Sequence, residues 1–352
     1  MMSSRDRRRL IRELTARIEE IARELDEVTI MHVCGSHERT IVEHGLRSLL
    51  PENVNLVCGP GCPVCVTTPG EIAAAVKAAE EGFTVCAFGD VYRVPSPEGS
   101  LSSAEGEVIV VQSARKAEEI AEERDNDVLY LAVGFETTAP TTAAVLKDDP
   151  PSNFYVLSAH RLIPPAMEWL ISKGSGVDAF ICPGHVSTII GTKPYERVAE
   201  EVPCVVAGFE PEDVLLATLA CLKMIAEGKT GVVNEYKRAV REEGNPVALK
   251  VMNEVFEPED RPWRGFPTIP DSALALKDEF SDHDATEIGV EPDYSLGSDP
   301  RCICDRILRG EATPRDCPLF GDECTPLDPV GPCMVSEEGP CFIEYRYGGG
   351  TT

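Results

Sequence analysis

The densest group of reactive side chains lies in residues 58–69, where three cysteines stand among glycines and prolines. Cys62 and Cys65 form a C-x-x-C pair in a turn that follows an apolar run and precedes a helical pattern. In a reducing compartment such a pair is typical of a reversible dithiol, and helix amides can stabilise its thiolate. The alternative is half of a zinc site, for which Cys58 and Cys34 would supply the other two ligands.

A second loop of the same character covers residues 31–38 and carries a single thiol, Cys34, next to a glycine. Glycine lets a ligand approach the backbone closely, and His37 or His32 would lower the pKa of the thiol or act as a second ligand. The alternative is a buried cysteine that only ends a strand. We expect the two loops to meet and to form one thiol site that handles iron and electrons.

A third group of cysteines lies in residues 301–345, which contain many prolines and glycines and therefore little core. A small module of this kind usually needs a metal to fold, and thiolates select zinc or an iron–sulfur cluster. The group contains no C-x-x-C knuckle of the structural zinc type. The proline after Cys317 is instead familiar from cluster loops. The members are Cys302, Cys304, Cys317, Cys324, Cys333 and Cys341.

This pattern favours an iron–sulfur cluster with four cysteine ligands over a zinc site or disulfides. The spacing alone does not decide which four of the six cysteines bind. We predict as ligands Cys302, Cys317, Cys324 and Cys341, with Cys304 as the substitute for Cys302.

Polar residues also follow other apolar runs of the chain. Any one of them is more simply a helix cap or a satisfied polar contact, but as a set on one sheet edge they predict a polar cleft. They are Glu136, His160, His185 and Glu210. The remaining cysteines lie in or beside apolar runs, and we assign to the core Cys86, Cys204 and Cys221, leaving Cys182 open.

The elements that must position these residues are strands that alternate with helices, a pattern of parallel sheets covered on both faces. We expect strands near 28–33, 54–58, 83–88, 107–111, 127–133, 153–157, 178–182 and 203–207. We expect helices near 5–25, 37–50, 70–81, 113–123, 137–147, 163–173, 192–201, 211–228, 233–243 and 246–255. In such sheets the chemistry lies at the carboxyl ends of the strands.

The predicted fold is α/β, with two similar parallel-sheet domains and a small cysteine-rich iron–sulfur domain. We place the first domain at residues 1–125, the second at 126–255 and a connector with the cluster domain at 256–352. Within the connector, a short helical pattern occurs near 272–280, and Trp263 and Phe266 are expected to anchor the segment. Gly-Phe-Glu occurs at 134–136 and again at 208–210, which weakly supports an internal duplication.

The composition excludes several classes of protein. The chain has 352 residues and a formal charge of -27, so its surface repels nucleic acid and anionic membranes. It has no apolar run of about 18 residues and no apolar core of a signal peptide, which predicts a cytoplasmic protein without a membrane span. Its 14 cysteines then indicate metal or redox work. Nucleotide-binding and hydrolase motifs are not found in the sequence.

Five long motifs resemble those of the hydrogenase maturation factor HypD family, in the same order and from near residue 28 to near residue 345. They are Met-His-Val-Cys-Gly-Ser-His-Glu at 31–38, Gly-Pro-Gly-Cys-Pro-Val-Cys-Val at 59–66, Val-Gly-Phe-Glu-Thr-Thr-Ala-Pro at 133–140, Cys-Pro-Gly-His-Val-Ser at 182–187, and Cys-Pro-Leu-Phe-Gly with the following Cys-Thr-Pro at 317–326. The motifs are specific because they are long and keep their order.

The resemblance implies a scaffold on which the Fe(CN)2CO unit of [NiFe] hydrogenases is built. It implies a small partner chaperone, HypC, and a cyanide donor, HypE, which the carbamoyltransferase HypF loads. It also implies two similar α/β domains and a C-terminal [4Fe-4S] cluster. By the same resemblance Cys34 holds iron, Cys62 and Cys65 are the dithiol, and the C-terminal cysteines bind the cluster.

We therefore expect Cys34, with a HypC thiolate and with His37, to hold iron while its ligands are attached. Cys62 and Cys65 are expected to cycle between dithiol and disulfide, with electrons relayed by the cluster, and Glu136 is predicted to be a further catalytic residue. Two alternatives remain open at this point. One is a free-standing thiol–disulfide oxidoreductase, and the other is a zinc-stabilised binding module.

Overall fold

Nine strands form two parallel sheets in the computed structural model, which describes residues 4–350. Sheet A has the strand order β2-β1-β7-β8-β9. Its strands are β1 (Val28–His32), β2 (Val54–Cys58), β7 (Ala179–Cys182), β8 (Cys204–Val206) and β9 (Val232–Asn234). Sheet B has the order β4-β3-β5-β6. Its strands are β3 (Thr84–Ala87), β4 (Val108–Val110), β5 (Val128–Gly134) and β6 (Phe154–His160).

The sheets confirm the predicted α/β class, because every pairing within them is parallel and the central strands are buried along their length. Eight of the nine strands lie where the apolar runs predicted them. A parallel strand that is buried on both faces consists of a nearly continuous run of apolar residues. Such runs can be recognised in the sequence.

The sheets are interleaved along the chain, which corrects the predicted domain division near Asp125. Strand β3 pairs with β5, Thr84 opposite Val128, so the division falls inside sheet B. Strand β1 pairs with β7, Ile30 opposite Ala179, so sheet A draws on both predicted domains. The chain therefore leaves sheet A after β2, builds all of sheet B, and returns to sheet A beside the strand from which it started.

The helices cover the sheet faces and connect the parallel strands. They are α1 (Ser4–Ala22), α2 (Gly35–Glu43), α3 (Pro63–Val66), α4 (Pro69–Glu80), α5 (Ala114–Glu122), α6 (Ala139–Lys147), α7 (Ile163–Ser172), α8 (Gly184–Ile190), α9 (Pro211–Ala226), α10 (Pro246–Val255), α11 (Cys304–Leu308) and α12 (Pro340–Tyr347). Helix α1 packs against α9 through its apolar stripe, in which Leu14, Ile18 and Ala22 are buried. None of the helices within residues 4–350 is both long and apolar enough to span a lipid bilayer.

Two predicted helices are wrong. The segment near 192–201 forms only two short 3₁₀ turns, Lys193–Tyr195 and Val198–Glu200. The segment near 233–243 contains strand β9 followed by irregular backbone. Here Asn234 accepts a hydrogen bond from the amide of Tyr236 and donates one to the carbonyl of Val240. Such side-chain bonds offer the backbone an alternative to a helix.

The predicted connector is an antiparallel hairpin, β10 (Phe256–Pro262) with β11 (Thr268–Leu276), and the helical pattern near 272–280 is therefore also wrong. Pairing with β10 overrides the local helical pattern. The predicted anchors are confirmed at the turn of the hairpin. Trp263 and Phe266 are buried and pack against each other, and Trp263 also contacts Phe135 of the body.

Candidate functional site

The two predicted thiol loops lie in direct contact. The amide of Gly35 donates to the carbonyl of Gly61 at 3.1 Å, and the amide of Gly59 donates to the carbonyl of His32 at 2.8 Å. A Cβ atom at Gly61 would stand 2.1 Å from the backbone nitrogen of Cys34. Position 61 therefore requires glycine, because only a bare backbone fits so close to Cys34.

Cys62 and Cys65 are joined as a disulfide across the short helix α3. The Cys62 sulfur also accepts the amide hydrogen of Cys65 at the N-terminus of that helix. Both residues are buried, with 2% and 0% of their surface exposed. Gly61, which contacts the backbone of Cys34, is the residue directly before Cys62. The structure thus brings the three predicted thiols into one region.

A buried ion pair fixes the chain that follows the dithiol. Thr68 and Glu71 form a reciprocal capping box at the start of α4. The Glu71 carboxylate also accepts from the guanidinium of Arg161, at 2.7 and 2.9 Å, and both side chains are fully buried. Arg161 directly follows strand β6, so this pair ties the dithiol segment to sheet B.

Cys34 lies beside an acidic residue from the far end of the chain. Ser36 donates to the Glu338 carboxylate at 3.2 Å, and a Cβ at Gly35 would stand 2.4 Å from that of Glu338. Burial, with the nearby Glu338 carboxylate, raises the pKa of the Cys34 thiol to about 12. A thiol in this setting stays protonated at neutral pH, and a bound cation such as Fe²⁺ would displace the proton.

Glu338 also connects the site to sheet B. Burial raises the pKa of Glu338, and the negative charge of Asp90 raises it further. Asp90 follows strand β3, whereas Cys34 follows strand β1. The carboxyl ends of strands from both sheets therefore face the same C-terminal residue.

His37 is oriented by its backbone contacts. Its Nε2 donates to the carbonyl of Gly208 at 2.9 Å, which leaves Nδ1 as the unprotonated nitrogen. Within residues 4–350 this buried Nδ1 has no hydrogen-bond partner. Burial, together with the nearby His32, lowers the pKa of His37 to about 3, so the ring is neutral and keeps a free lone pair. A neutral imidazole with an available nitrogen can bind a metal ion.

His32 has a different role from the one considered for it, because it bonds to Glu38 at 2.8 Å rather than to Cys34. Burial favours the protonated form of Glu38, but Arg47 and His32 outweigh it and lower the pKa of Glu38 to about 2. The donor atoms of His32, Glu38 and Cys58 lie within 4.8 Å of one another. Arg47, however, donates to both oxygens of Glu38 and so provides the positive charge at this place.

The four other polar residues do not form a single cleft, which corrects that prediction. Glu136 follows β5 and His160 is the last residue of β6, both in sheet B, whereas His185 and Glu210 follow strands of sheet A. His160 is buried and bonds to Thr142, His185 stacks on Phe209, and Glu210 pairs with Arg7 at the surface.

Glu136 is a buried carboxyl group that forms no ion pair within the described residues 4–350. It accepts the amide hydrogen of Ile163 at 3.0 Å through Oε1. Its other carboxylate oxygen is buried and has no hydrogen-bond partner in the described part of the chain. Burial raises the pKa of Glu136 to about 7. Glu136 therefore gains and loses a proton near neutral pH, as a general acid or base requires.

The C-terminal cysteines divide into a pair and a group of four. Cys304 is joined to Cys333 as a disulfide. The others are electrostatic neighbours, since Cys341 interacts with each of its three companions. They are Cys302, Cys317, Cys324 and Cys341, of which the last three are buried. These four free cysteines are the ones predicted as cluster ligands, and their binding of a cluster stays a prediction.

The donor set fits an iron–sulfur cluster. The four free cysteines and the Cys304–Cys333 disulfide line one small cavity, and the rest of its wall is apolar, with Ile307, Leu319, Phe320 and Met334. Thiolates in an apolar surrounding are the ligands of such clusters. The turn that carries Cys333, Pro332–Met334, packs against helix α3 of the Cys62–Cys65 disulfide. The two disulfides and the four-thiol site therefore adjoin one another.

The remaining cysteines lie away from these sites. Cys86, Cys204 and Cys221 are fully buried in the sheets and in α9, where the sequence placed them. Cys182, which the sequence left open, is also fully buried and hydrogen-bonds with Cys204. Burial raises the pKa of Cys182 well above its ordinary value, so this thiol belongs to the core.

Sequence reasoning missed two acidic residues and one cysteine pair. Asp90 stands at the end of a predicted strand, but no pattern in the sequence indicated that it lies near Glu338. Glu338 lies in the segment Met-Val-Ser-Glu-Glu-Gly between two C-terminal cysteines, and only this position inside the cysteine-rich module marked it. Nothing in the spacing indicated that Cys304 and Cys333 pair.

Comparison with known proteins agrees with the geometry. Residues 9–348 match the family described as HypD, "Hydrogenase formation hypA family". A protein of Methanocaldococcus jannaschii that is named for hydrogenase expression and formation is 50% identical over 349 residues, covering 97% of this chain and 98% of its own.

Two bacterial relatives extend the comparison. Hydrogenase maturation factor HypD2 of Bradyrhizobium diazoefficiens is 40% identical, covering 90% of this chain and 89% of its own. Hydrogenase maturation factor HypD of Cupriavidus necator is 39% identical, and the match covers 96% of this chain and 94% of that protein. The protein therefore belongs to the HypD family of hydrogenase maturation factors.

Proposed function

We propose that this protein is the scaffold on which the Fe(CN)2CO unit of a [NiFe] hydrogenase is assembled, with Cys34 as the residue that holds the iron. Iron with cyanide and carbonyl ligands is the cargo of the reaction, not a resident cofactor. Thiolates suit this task because they bind soft metal ions.

The observation that carries the proposal is the contact between the Cys34 loop and the Cys62–Cys65 loop. The loop of a thiol that can bind iron lies against the loop of a disulfide that can be reduced, and Cys34, Cys62 and Cys65 are all buried. Glu338 supplies a negative charge beside Cys34 that attracts a cation. His37 stands three residues after Cys34, and its Nδ1, which has no hydrogen-bond partner among the described residues, is the proposed second ligand. A small partner such as HypC would complete the iron coordination with its own thiolate.

The dithiol supplies electrons in this proposal. Oxidation of the Cys62 and Cys65 thiols to the disulfide releases two electrons and two protons, and reduction takes up the same number. The Glu136 carboxyl, with a pKa of about 7, is suited to accept or return a proton. A [4Fe-4S] cluster held by Cys302, Cys317, Cys324 and Cys341 would supply electrons one at a time for re-reduction of the disulfide.

The alternative of a free-standing thiol–disulfide oxidoreductase is disfavoured by the burial of the dithiol. An external disulfide must reach the attacking sulfur, but Cys62 and Cys65 expose 2% and 0% of their surface. A scaffold that acts on small ligands of a held iron atom does not need such access. We accordingly propose that the protein acts in the cytoplasm with HypC, and with HypE as the donor of cyanide.

The test is a Cys34→Ala variant, co-expressed with the small partner and analysed by infrared spectroscopy and iron content. We expect the cyanide and carbonyl bands to disappear while the brown absorbance of the cluster remains. Cys221→Ala is the matched control, because it removes a thiol that is buried in α9 away from the site. Bands of undiminished intensity in Cys34→Ala would show that Cys34 is not the iron ligand.

The same preparations separate the alternatives. Turnover of a small disulfide substrate by the protein alone would favour the oxidoreductase. Zinc in place of iron and sulfide would favour a zinc-stabilised binding module.

A further inference from the structure

Arg264 is a buried cation in the turn of the β10–β11 hairpin, and the proposed mechanism does not use it. Only 6% of its surface is exposed. Its guanidinium donates to the carbonyl of Thr67 at 2.7 Å, to the hydroxyl of Ser298 at 3.2 Å and to the carbonyl of Pro95 at 3.4 Å. Each guanidinium nitrogen therefore has one acceptor, and none of the three acceptors carries a formal charge.

A buried charge without a counter-charge is costly, so the surroundings of Arg264 call for an anion. Within the described residues 4–350, no carboxylate forms an ion pair with Arg264. The acidic side chain that acts on it most is Glu71, which is already paired with Arg161. Burial lowers the pKa of Arg264 to about 10, so it still carries its charge at neutral pH.

The remaining electrostatic neighbour of Arg264 is a cysteine sulfur. The side chains of Cys302 and Arg264 interact electrostatically. Both line a cavity of about 380 Å³ between the hairpin and the C-terminal cysteines. The backbone of Arg264 is held in place as well, because its amide donates to the carbonyl of Val66 at 2.8 Å.

We propose that Arg264 is the counter-charge of the four-cysteine site and stabilises the reduced state of the iron–sulfur cluster bound there. This inference rests on the proposed function, in which Cys302 is a cluster ligand. A cluster with four thiolate ligands gains one negative charge when it accepts one electron. A fixed positive charge in a buried setting favours that state and raises the reduction potential, which depends on charge and burial.

The proposal predicts the effect of removing the charge. Arg264→Gln should shift the midpoint potential of the cluster to a more negative value, whereas Arg264→Lys, which keeps the charge, should stay close to the unmodified protein. Arg301→Gln is the matched control. Arg301 is adjacent to Cys302 in the chain, but its side chain is 52% exposed and pairs with Asp299 and Glu323, so water screens its charge.

The measurement is a titration of the anaerobically purified full-length proteins with dithionite, which donates one electron to each cluster, followed by electron paramagnetic resonance. A negative shift in Arg264→Gln alone supports the proposal. Equal potentials in all four proteins overturn it and leave the proposed function intact. An unmodified protein without iron and sulfide would overturn both.

Failure of a variant to assemble the cluster is also decisive. Iron and sulfide content is measured for each protein before the titration. Loss of the cluster in Arg264→Gln with retention in Arg264→Lys supports a requirement for the charge. Loss in both variants overturns the proposal. Lysine keeps the charge but not the guanidinium hydrogen bonds, so the site would then need those hydrogen bonds and not the charge.

Discussion

Gly61→Ala tests the contact on which the thiol site depends. The new Cβ would stand 2.1 Å from the nitrogen of Cys34, 2.2 Å from the carbonyl carbon of Val33 and 2.5 Å from the Cα of Cys34. All three are backbone atoms, so no flexible side chain can move aside. Non-bonded atoms prefer a separation of about 3.5 Å, and the two loops must therefore part by roughly 1 Å or more.

The magnitude follows from this displacement. Overpacking of a buried contact costs about 1–3 kcal/mol of the free energy of unfolding. The functional loss should be larger, because a shift of about 1 Å between reacting groups can cost roughly 100-fold in rate. We therefore expect a modest loss of stability but at least about a tenfold loss of the Fe(CN)2CO infrared bands per mole of protein.

The assay combines urea unfolding, followed by circular dichroism, with infrared spectra of protein co-expressed with the small partner. The control is Gly297→Ala, since a Cβ there meets no atom within 4 Å and the position has no positive φ. This control should keep both its stability and its bands. If Gly61→Ala shows bands of full intensity, the contact between the loops is not needed for assembly and the reasoning fails.

Three further changes probe charges around the site. Glu71→Gln leaves Arg161 buried without its partner, and we expect a loss of about 3–5 kcal/mol in urea unfolding. Glu338→Gln removes a negative charge beside Cys34, so the pKa of Cys34 should fall and its alkylation at pH 8, followed by peptide mass spectrometry, should accelerate by up to roughly tenfold. Glu136 binds a proton more tightly in the folded protein than in the unfolded chain, where its pKa is near 4.5. The free energy of unfolding should therefore decrease as pH rises from about 4.5 to about 7, by about 3 kcal/mol, and Glu136→Gln should remove this dependence.

The local part of the fold was predictable from the sequence. Buried parallel strands such as β5 are continuous apolar runs, and the cysteine loops stand directly after β1 and β2. The pairing of β1 with β7 was not predictable, because no local pattern records which strands of a parallel sheet become neighbours. The helix predicted near 233–243 failed for a local reason, the side-chain bonds of Asn234 to its own backbone.

The candidate site was predictable only where its residues belong to recognisable loops. Cys34, Cys62 and Cys65 stand in such loops, and the structure brings their loops into contact. Glu338 lies 304 residues from Cys34 in the chain, and its proximity depends on how the cysteine-rich module docks. The module is held against the sheets by scattered contacts, such as those of Arg93 with the carbonyls of Pro326 and Leu327. Such contacts produce no periodic pattern in the sequence.

The interleaved topology explains how one thiol can be approached from several directions. In open parallel sheets, ligands bind at the carboxyl ends of strands where the strand order reverses. In sheet A this reversal lies between β1 and β7, and in sheet B it lies between β3 and β5. Cys34 follows β1 and Asp90 follows β3, and Glu338 interacts with both. Both reversals therefore face one site, as the proposed function requires if iron held at Cys34 is to receive ligands and electrons from different elements of the protein.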